Sequence, residues 1–176
     1  MRDTLKKIDN TILIWINVEL RNKTFDKIMP IITSAGNLGI IWITISVLLM
    51  TKKDYRILGQ MILTALIITT IIGEGIIKNI VRRKRPFYDE DDKELLISKP
   101  ITHSFPSGHT ASSFAVATVF IKTDNAASLG IILLAGLIAF SRVYLGVHYP
   151  SDVIGGGIIG VLCGSITVII FLGKLW

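Results

Sequence analysis

The charged residues of this chain are confined to a minority of its length, and that segregation constrains the fold more than any other feature. Five windows, 28–50, 57–81, 107–121, 126–145 and 153–173, contain only Glu74, Lys78 and Arg142 from the 19 Lys+Arg and 13 Asp+Glu of the 176 residues. A helix on a water-soluble domain carries a polar face along its whole length. Windows this long without one belong in lipid. A helix needs about 20 apolar residues to cross a hydrocarbon core of roughly 30 Å, and four of the windows reach that length. The third, Ser107–Ile121, is shorter and rich in Ala, Ser and Thr. It is expected to span as an inner helix, where small residues permit close packing. The fold expected is therefore all-α: one membrane-embedded domain over 1–176, an integral membrane helical bundle of about five transmembrane helices.

Ahead of the first window, Leu5, Ile8, Ile12, Ile16 and Leu20 recur every three or four residues, with Lys6, Lys7, Asp9, Asn10 and Asn17 between them. This predicts an amphipathic helix over 3–21, too polar to span, lying in the interface plane with Trp15 at headgroup depth. The connections at 51–56 and 122–125 are short, 82–106 is long, and 146–152 is a short loop with Gly and Pro. Five crossings then put the N-terminus and the 82–106 and 146–152 loops on one side of the membrane. The turns at 51–56 and 122–125 and the C-terminus fall on the other.

Several classes drop out. A single cysteine, Cys163, forms no internal disulfide and no cysteine metal cluster. The charge of +6 has no soluble domain or aromatic-interleaved basic strand to carry it onto nucleic acid. Polar residues interrupt the N-terminal apolar stretch and no small-residue cleavage site follows it, so it does not read as a signal peptide.

Three segments carry chemistry, and all reach the same side. Lys78 and Arg85 stand seven apart at the exit of the second window, two helical turns, which would place both on one face. Pro86 disfavours helix at Arg85. Two cations there suit a dianionic headgroup, although an interfacial basic anchor is the plainer role, and the one expected of Arg82, Arg83 and Lys84. Pro106-Ser107-Gly108-His109 opens the third window. Ser107 is a good N-cap, the first-turn N–H groups and helix dipole favour an anion, and Gly108 lets a ligand approach the backbone. A merely capped helix reads the same way. Finally, Ser141-Arg142, His148 and Asp152 straddle the fourth and fifth windows. A carboxylate four residues from a histidine can hold one imidazole N–H and leave the other nitrogen free to attack. An Asp complementing a helix dipole beside an interfacial His is the alternative. Together these segments supply three cations, an anion-type helix start and two histidines, an inventory suited to phosphoryl transfer, where catalysis is mostly positioning and charge stabilisation.

Lys78-x6-Arg85-Pro86, Pro106-Ser107-Gly108-His109 and Ser141-Arg142-x5-His148-x3-Asp152 resemble, in order and spacing, the three-part signature of the type 2 phosphatidic acid phosphatases, which share their site with vanadium haloperoxidases. The motifs cover about the C-terminal half of the chain. The resemblance implies a metal-independent lipid phosphatase with no cofactor. By position, His148 would be the nucleophile that forms a phosphohistidine, Asp152 would orient it, and His109 would be the general acid. Lys78, Arg85, Ser107, Gly108 and Arg142 would hold phosphate oxygens. Integral-membrane relatives commonly have six spans against the five expected here, with the interfacial helix standing where a first span would end. Orientation also diverges. The motif-bearing side holds 14 of the 19 Lys and Arg, which the positive-inside rule assigns to the cytoplasm. Relatives face outward, and because these cations surround an anion site, the extracytoplasmic side of the cell membrane is expected.

Glu74, four residues before Lys78, is in the favourable order for an ion pair and is expected to neutralise or position that lysine. Asp89-Glu90-Asp91-Asp92 is expected to be a solvated loop rather than a metal site. His103, His109, His148 and Asp152 make a poor zinc set, the Hx5H spacing falling across a helix start. The Gly156, Gly160, Gly164 stripe is expected to pack within the molecule rather than form a dimer face. The expected substrate is a lipid phosphate or diphosphate in the bilayer, best undecaprenyl diphosphate, as in small bacterial undecaprenyl-diphosphate phosphatases. Phosphatidylglycerophosphate or phosphatidate is the alternative, with no nucleic acid and no obligatory protein partner. A non-catalytic lipid-headgroup binder or transporter, or haloperoxidase chemistry on vanadate, would use the same cations.

Overall fold

The computed structural model describes residues 2–89 and 95–173, and within them the chain is helix and connecting segments without a strand. Helix α1 (Arg2–Trp15) runs into a π-helical stretch, Ile16–Leu20. Helices α2 (Lys23–Ala35) and α3 (Ile40–Met50) follow, then α4 (Arg56–Thr69), a π-helical stretch (Thr70–Ile77) and α5 (Lys78–Val81). After the long loop come α6 (Gly108–Lys122), α7 (Ser128–Tyr144) and α8 (Pro150–Leu172). The acidic run Asp89–Asp92 lies outside the residues whose side chains are described.

By length and apolar composition, Lys53–Val81 and Pro150–Leu172 each suffice to cross a membrane, and α2 with α3 pass as a pair bent by 46°. The first charge-free window is therefore not one straight helix. Gly36 and Gly39 flank the break, with Leu38 (φ 53°) and Gly39 (φ 68°) both left-handed, a conformation that carries no helix onward. Helix α7 is 17 residues long. Helix α6 sits at the centre, buried at Thr110, Ala111, Ser113 and from Ala115 to Phe120, which explains why its sequence is small rather than greasy.

The two halves of the bundle pack differently. Helix α8 lies against α6 at backbone distance. A Cβ at Gly156 would come 2.6 Å from the Ser107 carbonyl oxygen, and one at Gly164 2.6 Å from that of Ala115, while one at Gly160 would overlap the Ala111 carbonyl. The glycine stripe is thus an intramolecular seam, which is how helices gain contact where lipid offers no hydrophobic drive. On the other side, Trp42, Met61, Ile62, Ala65, Val116, Val119 and Ile138 form a conventional side-chain core. Trp42 Nε1 donates to Ser113 Oγ at 3.1 Å, satisfying its one polar atom. Ser46 Oγ donates to the Gly59 carbonyl at 2.6 Å, joining α3 to α4.

Candidate active site

The loop after α5 and the starts of α6 and α8 meet at one end of the bundle. Helix α5 stops at Val81 because Arg82 turns left-handed (φ 48°). Arg85 therefore stands in an extended segment, not two turns along the same helix as Lys78, and helical periodicity is not what brings the pair together. Their convergence comes from the loop folding back: Arg85 Nε donates to the Thr102 carbonyl at 2.7 Å and Nη1 to the Val147 carbonyl at 2.8 Å.

A cavity of about 1010 Å³ opens at this end, and Glu74, Lys78, Arg85, Gly108, His109, Arg142 and His148 all line it. Ser107 and Asp152 stand behind the wall, fully buried. Ser107 precedes the first residue of α6, yet its side chain caps no backbone N–H. Its hydroxyl instead accepts from Thr110 Oγ1 at 2.9 Å, so the first-turn N–H groups are not consumed by a side-chain cap. Gly108 lies against the Glu74 carboxylate, and a Cβ there would make that side chain move. Glu74 Oε1 and Oε2 accept from Lys78 Nζ at 2.6 and 2.7 Å, a bond from the π-helical stretch to the first residue of α5. Arg142 Nη1 donates to Thr33 Oγ1, while its Nε is buried without a partner among the described residues. Such a guanidinium N–H is a donor available to an anion.

His148 is held from several sides. Arg85 Nη1 stands 3.1 Å from His148 Nε2. Arginine can only donate, so Nε2 presents a lone pair and the proton of the neutral ring sits on Nδ1. Burial, then the nearby Arg85, Arg142 and Lys78, push this imidazole well below its usual 6.5, the Ser104 backbone offsetting part of the shift. Asp152 Oδ2 is 3.7 Å from Nδ1, so the expected direct hydrogen bond is not made and the contact is electrostatic. That carboxylate is engaged elsewhere: Oδ2 accepts from Ser104 Oγ at 2.5 Å and Tyr149 N at 2.9 Å, and Oδ1 from Arg83 Nη1 at 2.8 Å. Arg83 is therefore no interfacial anchor. It turns inward, its guanidinium 4.0 Å over the Tyr149 ring.

His109 lies in the first turn of α6, where Nε2 meets Asn37 Oδ1 at 2.9 Å. The bend between α2 and α3 presents Asn37 to it, and Gly36 leaves room: a Cβ there would come 2.8 Å from His109 Cδ2. Asn37, Arg83 and Ser104 were invisible as site residues in the sequence. The glycine pair around Asn37 was the one available signal, a helix break inside an apolar window. His103 stands apart, its carbonyl accepting from Arg85 Nη2 at 3.3 Å, and no group of three potential metal-binding side chains forms among the described residues.

The PAP2 superfamily profile matches residues 56–176, taking in all three motifs. The chain belongs to the PAP2 superfamily. An undecaprenyl-diphosphatase of Sulfolobus acidocaldarius is 37% identical over 122 residues, 68% of this chain and 58% of that protein. A decaprenylphosphoryl-5-phosphoribose phosphatase of Mycolicibacterium smegmatis is 40% identical over 81 residues, 46% of this chain and 43% of that protein. The chain thus spans about half the length of these PAP2 relatives. In three dimensions it is similar to Aquifex aeolicus LpxE, with a TM-score of 0.77 and 28% identity over 90% of this chain and 93% of that one. It shares the fold of the PAP2-type phosphatidylglycerolphosphate phosphatase of Bacillus subtilis, with a TM-score of 0.75 and 23% identity over 93% and 84% of the two chains.

Proposed function

We propose that this PAP2 protein is a lipid phosphatase that removes the terminal phosphate of a lipid phosphate or diphosphate without a metal ion or other cofactor. The observation that carries the proposal is a single cavity with two characters. Its lining combines Lys78, Arg85, Arg142 and the two histidines with the apolar Leu38, Ile43, Leu63, Leu66, Ile67 and Ile71. A headgroup with phosphate charges fits the first and an acyl or prenyl tail the second.

His148 Nε2 attacks the terminal phosphorus, forming a P–N bond as the P–O bond to the leaving group breaks. His109 gives its proton to the departing oxygen. Water then attacks the phosphohistidine with His109 as base, the P–N bond breaks, and phosphate leaves with the histidine lone pair restored. Lys78, Arg85 and Arg142 neutralise the transferring oxygens, and Ser107 and Gly108 open the first turn of α6 to them. The incoming phosphoryl group takes over the Arg85 donor now aimed at Nε2. Asp152 stabilises the Nδ1–H side of the imidazole electrostatically.

Undecaprenyl diphosphate is the favoured substrate, supported by the similarity to the Sulfolobus undecaprenyl-diphosphatase and by the apolar flank of the cavity. Phosphatidylglycerophosphate and phosphatidate are the alternatives. The site would face the extracytoplasmic side of the membrane. Phosphate release from a panel of lipid phosphates and diphosphates in detergent, with His148→Ala as blank, tests the proposal. Release that survives EDTA, stops with vanadate and vanishes in the blank is expected. Release that needs a metal, or lipid binding indifferent to His148→Ala with no turnover, would contradict it. Labelling of Ser98→Cys by a membrane-impermeant thiol reagent on intact cells tests the orientation, and protection from the reagent until lysis would reverse it.

A further inference from the structure

Asp9 is an acidic residue of α1, outside the stretch matched by the superfamily profile, yet it is 1% exposed. Leu5, Ile8 and Ile12 point outward with Trp15, while Asp9, Leu13 and Ile16 turn toward the protein. A carboxylate is costly to bury unless its oxygens are paired, and every contact made here leads to the site. Oδ1 accepts from Ser151 N at 2.9 Å, and Oδ2 from Ser151 Oγ at 2.5 Å and Arg83 Nη2 at 2.7 Å. The other arm of the same guanidinium, Nη1, donates to Asp152 Oδ1 at 2.8 Å and to Ser151 Oγ at 2.7 Å.

Resting on the function proposed above, we infer that Asp9 is a positioning residue for the nucleophilic histidine, acting through Arg83 on Asp152. The guanidinium is a planar fork shared by two carboxylates. With Asp9 on one arm, Arg83 is fixed in place and its charge is divided, so Asp152 keeps negative potential to spend on the Nδ1–H of His148. Without Asp9, the whole guanidinium charge falls on Asp152, and the favoured Nδ1–H tautomer loses its electrostatic support. Nothing in this chain of contacts touches Lys78 or Arg142, and Asp152 meets Ser107 only through its backbone carbonyl, which accepts from Ser107 N at 3.1 Å. The Lys78 and Arg142 side of the phosphate cradle is therefore left as it is. The N-terminal helix thereby belongs to the catalytic unit, although neither its sequence nor its place outside the matched region announces it.

The test compares the full-length protein with Asp9→Asn, Asp9→Glu, Arg83→Gln and the Asp9→Asn/Arg83→Gln double variant, with His148→Ala as the blank. For Asp9→Asn, a kcat reduced about tenfold to hundredfold is expected, the scale of misplacing a reacting group. KM and the inhibition constant of inorganic phosphate should stay within about twofold, because Asp9 itself touches no residue of the phosphate cradle. The double variant should lose no more than Arg83→Gln alone, since residues acting through one another are not additive. Asp9→Glu, which keeps the carboxylate, should recover part of the loss and serves in place of Asp9→Asn if that variant does not fold. An unchanged kcat, a matching loss of inorganic phosphate affinity, or additive losses in the double variant would overturn the proposal. Nitrogen-15 shifts of the His148 ring give a readout that needs no turnover. Asp9→Asn should lower the Nδ1–H tautomer fraction, and an unchanged ring would overturn the proposal. Wild-type protein that turns over no lipid phosphate would instead overturn the phosphatase assignment, leaving the ring shifts to decide the role of Asp9.

Discussion

The two cavity histidines are supported in opposite ways. His148 sits in the loop between α7 and α8, buried, with Arg85 at Nε2 and an Asp152–Arg83–Asp9 chain behind Nδ1. His109 is half-buried in the first turn of α6, and a neutral amide on the bend between α2 and α3 meets its ring. A nucleophile needs one fixed tautomer and a defined line of attack, and charged partners with several bonds each supply both. A group that must give up and recover a proton is better served by a partner that can accept or donate, as an amide can. The difference teaches that the bundle spends its charged scaffolding on one histidine and its local backbone distortion on the other.

The comparison breaks first at His148. His148→Ala should cut turnover by roughly 10³-fold or more, as loss of a nucleophile does, measured as phosphate release; residual turnover within tenfold of wild type would show that another group attacks. His109→Gln should lower the single-turnover rate of leaving-group release by about 10²- to 10⁴-fold on a lipid monophosphate such as phosphatidate, whose alkoxide must be protonated as it leaves. The loss should be much less on p-nitrophenyl phosphate, whose leaving oxygen needs no proton. Equal losses on both substrates would remove the general-acid role. In the same measurement Asn37→Ala should cost about tenfold on the lipid monophosphate, the worth of one hydrogen bond, and leave single-turnover release of p-nitrophenolate nearly unchanged. Glu74→Gln should lower activity by about five- to tenfold with folding intact, because the charged bond to Lys78 weakens; full activity would dismiss Glu74.

The smallest effect concerns ionisation. The His148 pKa is depressed, so its ring should still be neutral where an ordinary histidine, near 6.5, is half protonated. In linkage terms, the unfolded chain binds this proton more readily than the folded one. Stability from this group is complete above pH 6.5 and declines as pH falls toward the folded-state value. A ring titrating at or above 6.5 by NMR would erase the contrast drawn here.

Much of this was legible in the sequence, for identifiable reasons. Charge-free windows announce helices in lipid because lipid imposes that composition on any spanning helix, and motif spacings survive because they sit on local structure. The Gly156, Gly160, Gly164 stripe was readable for the same reason. What escaped depends on how distant segments approach one another. The shared face of Lys78 and Arg85 failed because a left-handed Arg82 ended the helix early, a conformation uncommon for a residue with a Cβ. Arg83 looked like its basic neighbours, since its inward turn depends on where α8 begins and α1 docks. Asp9 sat within a helix whose apolar periodicity pointed to the opposite face. Asn37 owes its place at His109 to a break between two glycines in an otherwise apolar run.

The central claim is that His148 Nε2 carries the phosphoryl group between the two chemical steps. Rapid acid-free quenching of the enzyme with undecaprenyl diphosphate labelled in its terminal phosphate, followed by peptide mapping, tests it most directly. The account predicts an acid-labile, base-stable label on the peptide bearing His148, absent from His148→Ala. Single-turnover release of phosphate with no labelled protein, or a label on any other side chain, would contradict it.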